Sequence, residues 1–362
     1  METKILDVRA LTEETLRRAQ VFCEPDAARV VDDAMEKIRE AAAVLRSGGL
    51  VAFPTETVYG LGADAFNEDA VRRVYEAKGR PSDNPMIVHI ARASDLSLLT
   101  AKLTPDIVRL ADEYWPGPLT MVISKREEVP IRTTGGLDTV GVRLPDSPVA
   151  IELIRLAGTP IAAPSANLSG SPSPTKAEHV IADLDGKVEV ILVGPDSRVG
   201  IESTVVDMTA HPPQILRPGV ITADDLAQTL DVTVGIDSAI LTDDGVDPAA
   251  AIAAAPRAPG MKYRHYAPKA EMVVIEGKQE RVRAEISRLK SLNEGIGRRV
   301  GVMLFDEKAY TEAARDFYAM LRDMDESGVD LILAGALAAS GGLGFAVMNR
   351  MMKAAGYKII RI

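Results

Sequence analysis

The sequence predicts an α/β protein of two domains: an N-terminal mixed sheet packed against helices, and a smaller, doubly wound C-terminal sheet. The chain has 362 residues, enough for two domains that each bury a hydrophobic core. Short apolar segments alternate with amphipathic ones on both sides of a stretch rich in Ala, Asp, Pro and Gly. We therefore expect domains at residues 32–230 and 271–362, joined by a linker at 231–270.

Capping residues and apolar periodicity define the elements of the N-terminal domain. A helix is predicted over 32–47, capped by Asp32 or Asp33, and another begins after Asn67 and ends at Gly79. Further helices are predicted from Thr104-Pro105 to Tyr114 and over 149–157, and strands over 50–53, 86–90, 119–124, 139–144, 160–163, 188–193, 203–208 and 213–217. So many strands, several of them close together in the chain, favour a mixed sheet with helices packed on it.

Strands and helices alternate regularly in the C-terminal domain, which favours parallel strands joined by helical crossovers. Strands are predicted over 271–276, 299–305, 330–335 and 357–362, and helices over 278–292, 307–321 and 344–355. This pattern predicts a small Rossmann-like domain.

The overall charge argues against a broad nucleic-acid surface. The net charge is −10 and the pI about 5.1, so an anion would need a local cationic pocket. The single cysteine, Cys23, excludes an intrachain disulfide and a cysteine-based zinc cluster. The charged start and the lack of a long apolar run predict a soluble, cytoplasmic protein with no membrane partner.

Several common nucleotide and hydrolase motifs are missing from the sequence. It contains no GxxxxGK[ST] phosphate loop and no GxSxG nucleophile elbow. The segment 60–62 lacks the third glycine of a dinucleotide fingerprint, so no organic cofactor is expected. The four histidines, at 89, 179, 211 and 265, lie far apart with no zinc-ligand spacing. Any phosphate site must therefore use another device.

Four polar stretches of the first domain lie at or near the ends of predicted strands, where binding groups concentrate. They are PTETVYGLG (54–62), KGRPSDNP (78–85), PSANLSG (164–170) and STVVD (203–207).

Lys78 and Arg80 are the strongest candidates for an anion site. A solvated cationic helix end is the alternative, because lysine there favours the helix dipole. Pro81 weakens that alternative, since it restricts the backbone of Arg80 and holds the side chain ready for bidentate phosphate recognition.

The other stretches leave two interpretations open. PSANLSG (164–170) is either an Asx or Ser turn or a set of neutral donors that completes a phosphate clamp with the cations. Thr55 and Thr57 offer hydroxyls in the first stretch. Arg143, inside a predicted strand, needs an anionic partner, which is either a structural acid or a ligand carboxylate. His89 ends a strand and is either structural or part of the site.

At these residues the sequence resembles the Sua5 branch of the YrdC/Sua5 family, the threonylcarbamoyl-AMP synthases. The resemblance runs from about residue 32 to the C-terminus, whereas the first thirty residues and the Ala-rich half of the linker match no known pattern. The motifs that carry it are PTETVYGLG, KGRPSDNP with the following His89, SANLSG, STVVD, LRPG, APGMKYRHYAP and the terminal GLGFAVMNRMMKA.

The resemblance implies a YrdC-like catalytic domain and a nucleotidyltransferase that joins L-threonine, bicarbonate or CO₂, and ATP. The products are threonylcarbamoyl-AMP and pyrophosphate. It implies catalytic roles for Lys78, Arg80, Ser165 and Asn167, which also bind ATP together with Asn84, Thr139, Ser173 and Arg217. Threonine would be bound by Thr57, His89, Arg143, Ala163 and Ser203, and the pocket covered by Tyr263, Arg264, His265 and Tyr266 of the linker.

The resemblance also implies partners. Mg²⁺ would enter with ATP, held mainly by the phosphates rather than by a protein metal site. A TsaD/Kae1/Qri7-type threonylcarbamoyl transferase would then modify adenosine 37 of tRNA, which this chain would contact at most indirectly. An RNA-binding module without adenylating activity is the alternative function, and an adenylating enzyme for another amino acid is a third.

Overall fold

The computed structural model of the chain describes residues 1–241, 256–259, 266–306, 308–338 and 341–362. The strands are β1 Lys4–Asp7, β2 Val51–Phe53, β3 Gly60–Asp64, β4 Ile87–His89, β5 Leu119–Ser124, β6 Thr139–Arg143, β7 Ile161–Ala162, β8 Val190–Val193, β9 Thr204–Asp207, β10 Gln214–Arg217, β11 Gly235–Ile236, β12 Glu271–Glu276, β13 Val300–Met303, β14 Leu331–Gly335 and β15 Ile359–Arg361.

The helices are α1 Glu13–Gln20, α2 Pro25–Arg46, α3 Glu68–Lys78, α4 Leu96–Leu99, α5 Pro105–Tyr114, α6 Pro148–Ala157, α7 Ala177–Leu184, α8 Ala223–Leu230, α9 Ser238–Leu241, α10 Gln279–Gly295, α11 Tyr310–Glu326 and α12 Gly342–Ala354, with a 3₁₀ turn at Ala93–Asp95. None of the helices that the structure describes combines the length and apolar character needed to cross a membrane.

The described N-terminal strands form one eleven-stranded mixed sheet, as predicted. Its order is β1-β8-β2-β3-β7-β4-β6-β5-β9-β10-β11. β4 pairs in parallel with β6 and antiparallel with β7, and β6 is antiparallel to β5. This register sets His89 directly opposite Arg143 at the carboxyl ends of two adjacent parallel strands. Two expected site residues are therefore neighbours by topology alone.

The predicted helix caps explain how the cationic stretch is placed. Asn67 accepts hydrogen bonds from the backbone amides of Asp69 and Ala70, which starts α3. Gly79 ends the helix with φ +61°, a left-handed conformation that glycine adopts without a steric cost. Lys78 is therefore the last residue of α3, and Arg80 follows the reversal of the chain.

Helix α2 begins at Pro25, seven residues before the predicted start. Proline at the first helical position needs no hydrogen bond for its nitrogen, and Ala27 is already buried there. Asp32 and Asp33 are exposed residues of the helix interior and not its cap. The preceding segment also has structure, because β1 pairs in parallel with β8 at the edge of the sheet.

The C-terminal domain is a four-stranded parallel sheet in the order β13-β14-β12-β15, which confirms the predicted Rossmann-like arrangement. Helix α11 runs to Glu326, five residues past the predicted end, and Gly328 with φ +65° follows it. The stretch expected to be a linker starts with two short elements, β11 and α9, and β11 pairs with β10 of the large sheet.

Candidate active site

A small pocket lies where the 54–60 segment, the ends of β4 and β6, and the 163–165 segment converge. Its volume is about 60 Å³. The expected site residues that line it are Thr57, Arg80, His89, Arg143, Ala163, Ser165, Arg217 and Tyr266. Lys78, Asn84, Thr139, Asn167, Ser173 and Ser203 lie outside this lining.

Lys78 is buried against the PSANLSG loop, so the alternative that it is a solvated cation at a helix end is excluded. Its ammonium donates to the backbone carbonyl of Ser165 at 2.5 Å and to that of Asn167. Burial, reinforced by the charge of Arg80, holds the pKa of Lys78 well below its usual range. The hydrogen-bond acceptors that the described residues offer this ammonium are neutral oxygens, and an anion would stabilise its charge further.

Arg80 is the second cation at this place, and it is half-buried with its Nε atom turned inward. Its Nη2 donates to the carbonyl of Pro85 at 3.0 Å, while its Nε is buried with no hydrogen-bond partner among the described residues. Burial lowers the pKa of Arg80 to about 10. A guanidinium with a buried, unpaired donor is costly, so it indicates an anionic ligand.

The PSANLSG loop is an internally bonded turn. Ser165 Oγ donates to Asn167 Oδ1 at 2.5 Å, and Asn167 Nδ2 donates to the carbonyls of Leu168 and Ser171 at 2.8 and 2.9 Å. The turn interpretation is therefore correct for the loop itself. The two interpretations are compatible, because the turn presents its carbonyls to Lys78 and leaves Ser165 lining the pocket.

Asn84 is buried, and its Oδ1 has no hydrogen-bond partner among the described residues. Its backbone carbonyl accepts from the Tyr75 hydroxyl at 3.0 Å, which ties the KGRPSDNP stretch to helix α3. The expected nucleotide contact therefore has a free acceptor on a fixed backbone.

Arg143 has a structural acid partner in Glu56. Its Nη2 lies 2.6 Å from Glu56 Oε2, and both side chains are buried. The two atoms form a close ion pair without the alignment of a hydrogen bond, since each lacks a hydrogen-bond partner. Nη1 donates to Thr57 Oγ1 at 2.8 Å and Nε to the Gly117 carbonyl at 3.2 Å. Arg143 therefore has a structural acid as its partner, and a ligand carboxylate would have to share the guanidinium with Glu56.

His89 lies beside this ion pair. It is buried, and its ring is nearly perpendicular to that of Phe53, with 6.2 Å between the ring centres. Its Nδ1 has no hydrogen-bond partner among the described residues. Burial, with the charge of Arg143, lowers the pKa of His89 to about 3. The imidazole is consequently neutral at physiological pH and can accept a hydrogen bond from a substrate.

Arg217 lines the pocket and Ser203, outside the lining, lies against it; together they are called the Ser203–Arg217 wall. Arg217 Nε donates to the Ser203 carbonyl and its Nη2 to Ser203 Oγ, both at 3.0 Å. Ser203 Oγ also lies 2.8 Å from Thr120 Oγ1. Burial lowers the pKa of Arg217. Ser203 is thus fixed beside the pocket by two side chains.

The other expected contacts are placed less directly. Ala163 lines the pocket, whereas Thr139 begins β6 opposite Ser124, four residues before Arg143. Ser173 Oγ donates to Glu202 Oε1 at 2.7 Å and is buried. The roles of these residues in binding stay predictions.

The expected cover is only partly described. Tyr263, Arg264 and His265 lie outside the described residues. Tyr266 is 6% exposed and lines the pocket, as does Pro259. The described ends of the basic-aromatic segment therefore lie on the site.

Two buried acids at the pocket, Glu56 and Glu202, were not predicted. Each is paired with an arginine, Glu56 with Arg143 and Glu202 with Arg350. No group of three or more metal-ligating side chains occurs in the part of the chain that the structure describes. The expectation that Mg²⁺ arrives on the nucleotide stays a prediction.

The chain matches two family models, one described as telomere recombination (Sua5, YciO and YrdC) over residues 43–219 and one described as the threonylcarbamoyl-AMP synthase C-terminal domain over 221–356. It is 49% identical to a threonylcarbamoyl-AMP synthase of Pyrococcus abyssi, over 90% of this chain and 96% of that one. It is 46% identical to one of Bacillus subtilis, over 90% and 94%.

The fold also matches a solved structure, that of Pyrococcus abyssi Sua5 complexed with L-threonine. The TM-score is 0.87 at 44% identity, and the match covers 99% of this chain and 100% of the other. The two family models together cover both domains, and the matches to the two relatives cover nearly the whole length of each relative. The chain therefore belongs to the Sua5 family of threonylcarbamoyl-AMP synthases.

Proposed function

We propose that the chain makes threonylcarbamoyl-AMP and pyrophosphate from L-threonine, bicarbonate or CO₂, and ATP in this pocket. One observation carries the proposal within the family: four cations from three separate segments, Lys78 and Arg80, Arg143, and Arg217, converge on a single small cavity and its wall, and all but the half-buried Arg80 are buried. Such a concentration of buried positive charge is stabilised by a polyanionic ligand.

Lys78, Arg80 and Arg217 bind the phosphates of ATP in this proposal. The unpaired Nε of Arg80 and the depressed pKa of Lys78 support it, because both groups gain from a nearby anion. Ser165 and Asn167 add neutral hydrogen-bonding groups next to the cations. Mg²⁺ bound to the phosphates neutralises the pyrophosphate as it leaves.

Threonine occupies the other half of the pocket. Arg143 binds its carboxylate while keeping Glu56, and the neutral His89 and the hydroxyl of Thr57 face the rest of the amino acid. The Pyrococcus abyssi relative, 44% identical to this chain, was solved in complex with L-threonine, which supports threonine as a substrate.

The chemistry requires proximity and exclusion of water rather than a protein nucleophile. Threonine's neutral amine adds to CO₂, supplied directly or by dehydration of bicarbonate, and loses a proton to give a carbamate that is short-lived in water. Its oxygen then attacks the α-phosphorus of ATP and pyrophosphate leaves. Tyr266 and Pro259, which line the pocket, would help to keep the carbamate from water.

The product is consumed by a threonylcarbamoyl transferase that modifies adenosine 37 of tRNA, in the cytoplasm. The acidic net charge of −10 supports an indirect relation to tRNA, since a direct binder would need a basic surface.

Incubation with ATP, threonine and bicarbonate tests the proposal through the release of pyrophosphate. We expect release only when all three substrates are present. Release with another amino acid in preference to threonine would favour a different adenylating enzyme. Salt-sensitive tRNA binding without any pyrophosphate would favour the RNA-binding alternative.

A further inference from the structure

Arg350 of the C-terminal domain is fully buried against the catalytic domain. It lies in helix α12, and its Nε donates to Glu202 Oε2 at 3.1 Å. Its Nη1 donates to the carbonyl of Pro218, and its Nη2 lies 3.4 Å from the carbonyl of Glu202. A buried guanidinium requires such partners, and here most of them come from the other domain.

The residues that Arg350 holds are the chain neighbours of two expected substrate contacts. Glu202 directly precedes Ser203, and Pro218 directly follows Arg217. Arg217 in turn donates to both the carbonyl and the hydroxyl of Ser203. One side chain of the C-terminal domain therefore fixes both backbones that form this wall of the pocket.

Tyr318 of helix α11 fixes the carboxylate of Glu202. Its hydroxyl lies 3.0 Å from both carboxylate oxygens, and Ser173 Oγ donates to one of them at 2.7 Å. The Tyr318 ring also packs against Tyr266, with 5.4 Å between the ring centres, and Tyr266 and Glu202 both line the pocket. The contact between the domains thus continues into the pocket lining.

The charge state of Glu202 depends on this arrangement. Burial alone raises the pKa of the carboxyl, but the charges of Arg350 and Arg217 and the Ser173 hydrogen bond outweigh burial and lower it. Among the described residues, the other titratable groups that interact with Glu202 include the hydroxyls of Tyr318 and Tyr266 and the ammonium of Lys353. Removing Arg350 would take away one of the charges that lower the pKa of Glu202 and would therefore raise it.

We propose that Arg350 and Tyr318 are positioning residues for ATP binding, so that the C-terminal domain sets the Ser203–Arg217 wall of the catalytic pocket. This role rests on the proposed function and extends it to a domain for which the sequence indicated no task. The two residues touch no substrate, because they act through Glu202 and Pro218.

Two variants of the full chain test the inference, Tyr318→Phe and Arg350→Gln, with Tyr310→Phe as the matched control. Tyr310 lies on the same helix as Tyr318, and its hydroxyl donates to the Ala338 carbonyl at 3.0 Å within the C-terminal domain. We expect Tyr318→Phe to raise the KM for ATP about tenfold and to change kcat less than about threefold. A purely structural defect would instead lower the active fraction, and thus kcat, at unchanged KM.

Arg350→Gln should additionally move the acidic limb of the pH–rate profile to higher pH, because the pKa of Glu202 rises. If Arg350→Gln does not fold, Tyr318→Phe still decides. Unchanged ATP affinity in folded Tyr318→Phe, or an equal change in Tyr310→Phe, overturns the inference. The affinity of each variant for ATP is also measured by calorimetry, which does not require product formation. If the unaltered protein binds ATP but makes no product, the result counts against the proposed function and not against the positioning role of Arg350 and Tyr318.

Discussion

Arg143, which lines the pocket, forms a buried ion pair with Glu56, with 2.6 Å between guanidinium and carboxylate. The pair joins two segments that lie far apart in the sequence, the loop after β2 and the end of β6. Arg143 is therefore neutralised before any amino acid arrives, and its orientation is fixed by Thr57 and Gly117. Several consequences of this geometry can be measured.

Replacing one partner of the ion pair should destabilise the fold. Arg143→Gln leaves Glu56 buried without its cation, so we expect the free energy of unfolding to fall by about 3–5 kcal/mol. Urea unfolding measures this change. The exposed pair of Arg155 and Glu152 provides the control, because Arg155→Gln should cost less than about 1 kcal/mol.

The double variant Glu56→Gln/Arg143→Gln should recover most of that loss, because no unpaired charge remains in the interior. A double variant as unstable as Arg143→Gln would show that the pairing itself contributes little.

Removing the ammonium of Lys78 should abolish most of the activity. Lys78→Met keeps the length of the side chain and removes its charge next to the proposed phosphate site, so we expect kcat/KM for ATP to fall at least about 100-fold. Thermal melting verifies that the variant is folded. Arg72→Met, at an exposed position of the same helix, should keep full activity. Full activity in folded Lys78→Met would remove this residue from the mechanism.

His89 should make the stability depend on pH. Its pKa is about 3 in the folded protein against 6.5 in the unfolded chain, so between these values only the unfolded state binds the proton. The free energy of unfolding therefore falls as the pH falls from 6.5 towards 3, by up to about 1.4 kcal/mol per pH unit from this group.

The free energy of unfolding, measured with urea at pH 4.5 and at pH 7, should depend less steeply on pH in His89→Gln than in the unaltered protein. His211→Gln, at an exposed position, should leave the slope unchanged. Equal slopes for all three proteins would contradict the burial of a neutral His89.

Deleting residues 259–268 should abolish synthesis while both domains stay folded. The deletion removes Pro259 and Tyr266 from the pocket lining and exposes the carbamate to water. Pyrophosphate release measures the activity, and limited proteolysis reports on the domains. Retention of full activity would contradict a covering role for this segment.

The sequence predicts best what local chemistry decides. The cap at Asn67, the reversal at Gly79 and the position of Lys78 at a helix end all follow from neighbouring residues and are confirmed. The predicted start of α2 at Asp32 or Asp33 was wrong, because Pro25 at the first helical position is as strong a start signal as those acidic residues.

Partners that are distant in sequence could not be predicted. A buried Arg143 requires an anion, but nothing local identifies Glu56 as a structural partner. Arg350 did leave a signal, because it lies among Val347, Met351 and Ala354 on the apolar face of α12. A charge on such a face predicts a buried partner, and only the docking of the two domains shows that the partner is Glu202.

Mass spectrometry of the nucleotide product after incubation with ATP, threonine and carbon-13 bicarbonate tests the central claim most directly. The account predicts one adduct that contains AMP, threonine and the labelled carbon, formed with one pyrophosphate per molecule. A threonine–AMP adduct without the labelled carbon, or pyrophosphate released without threonine or bicarbonate, would contradict it.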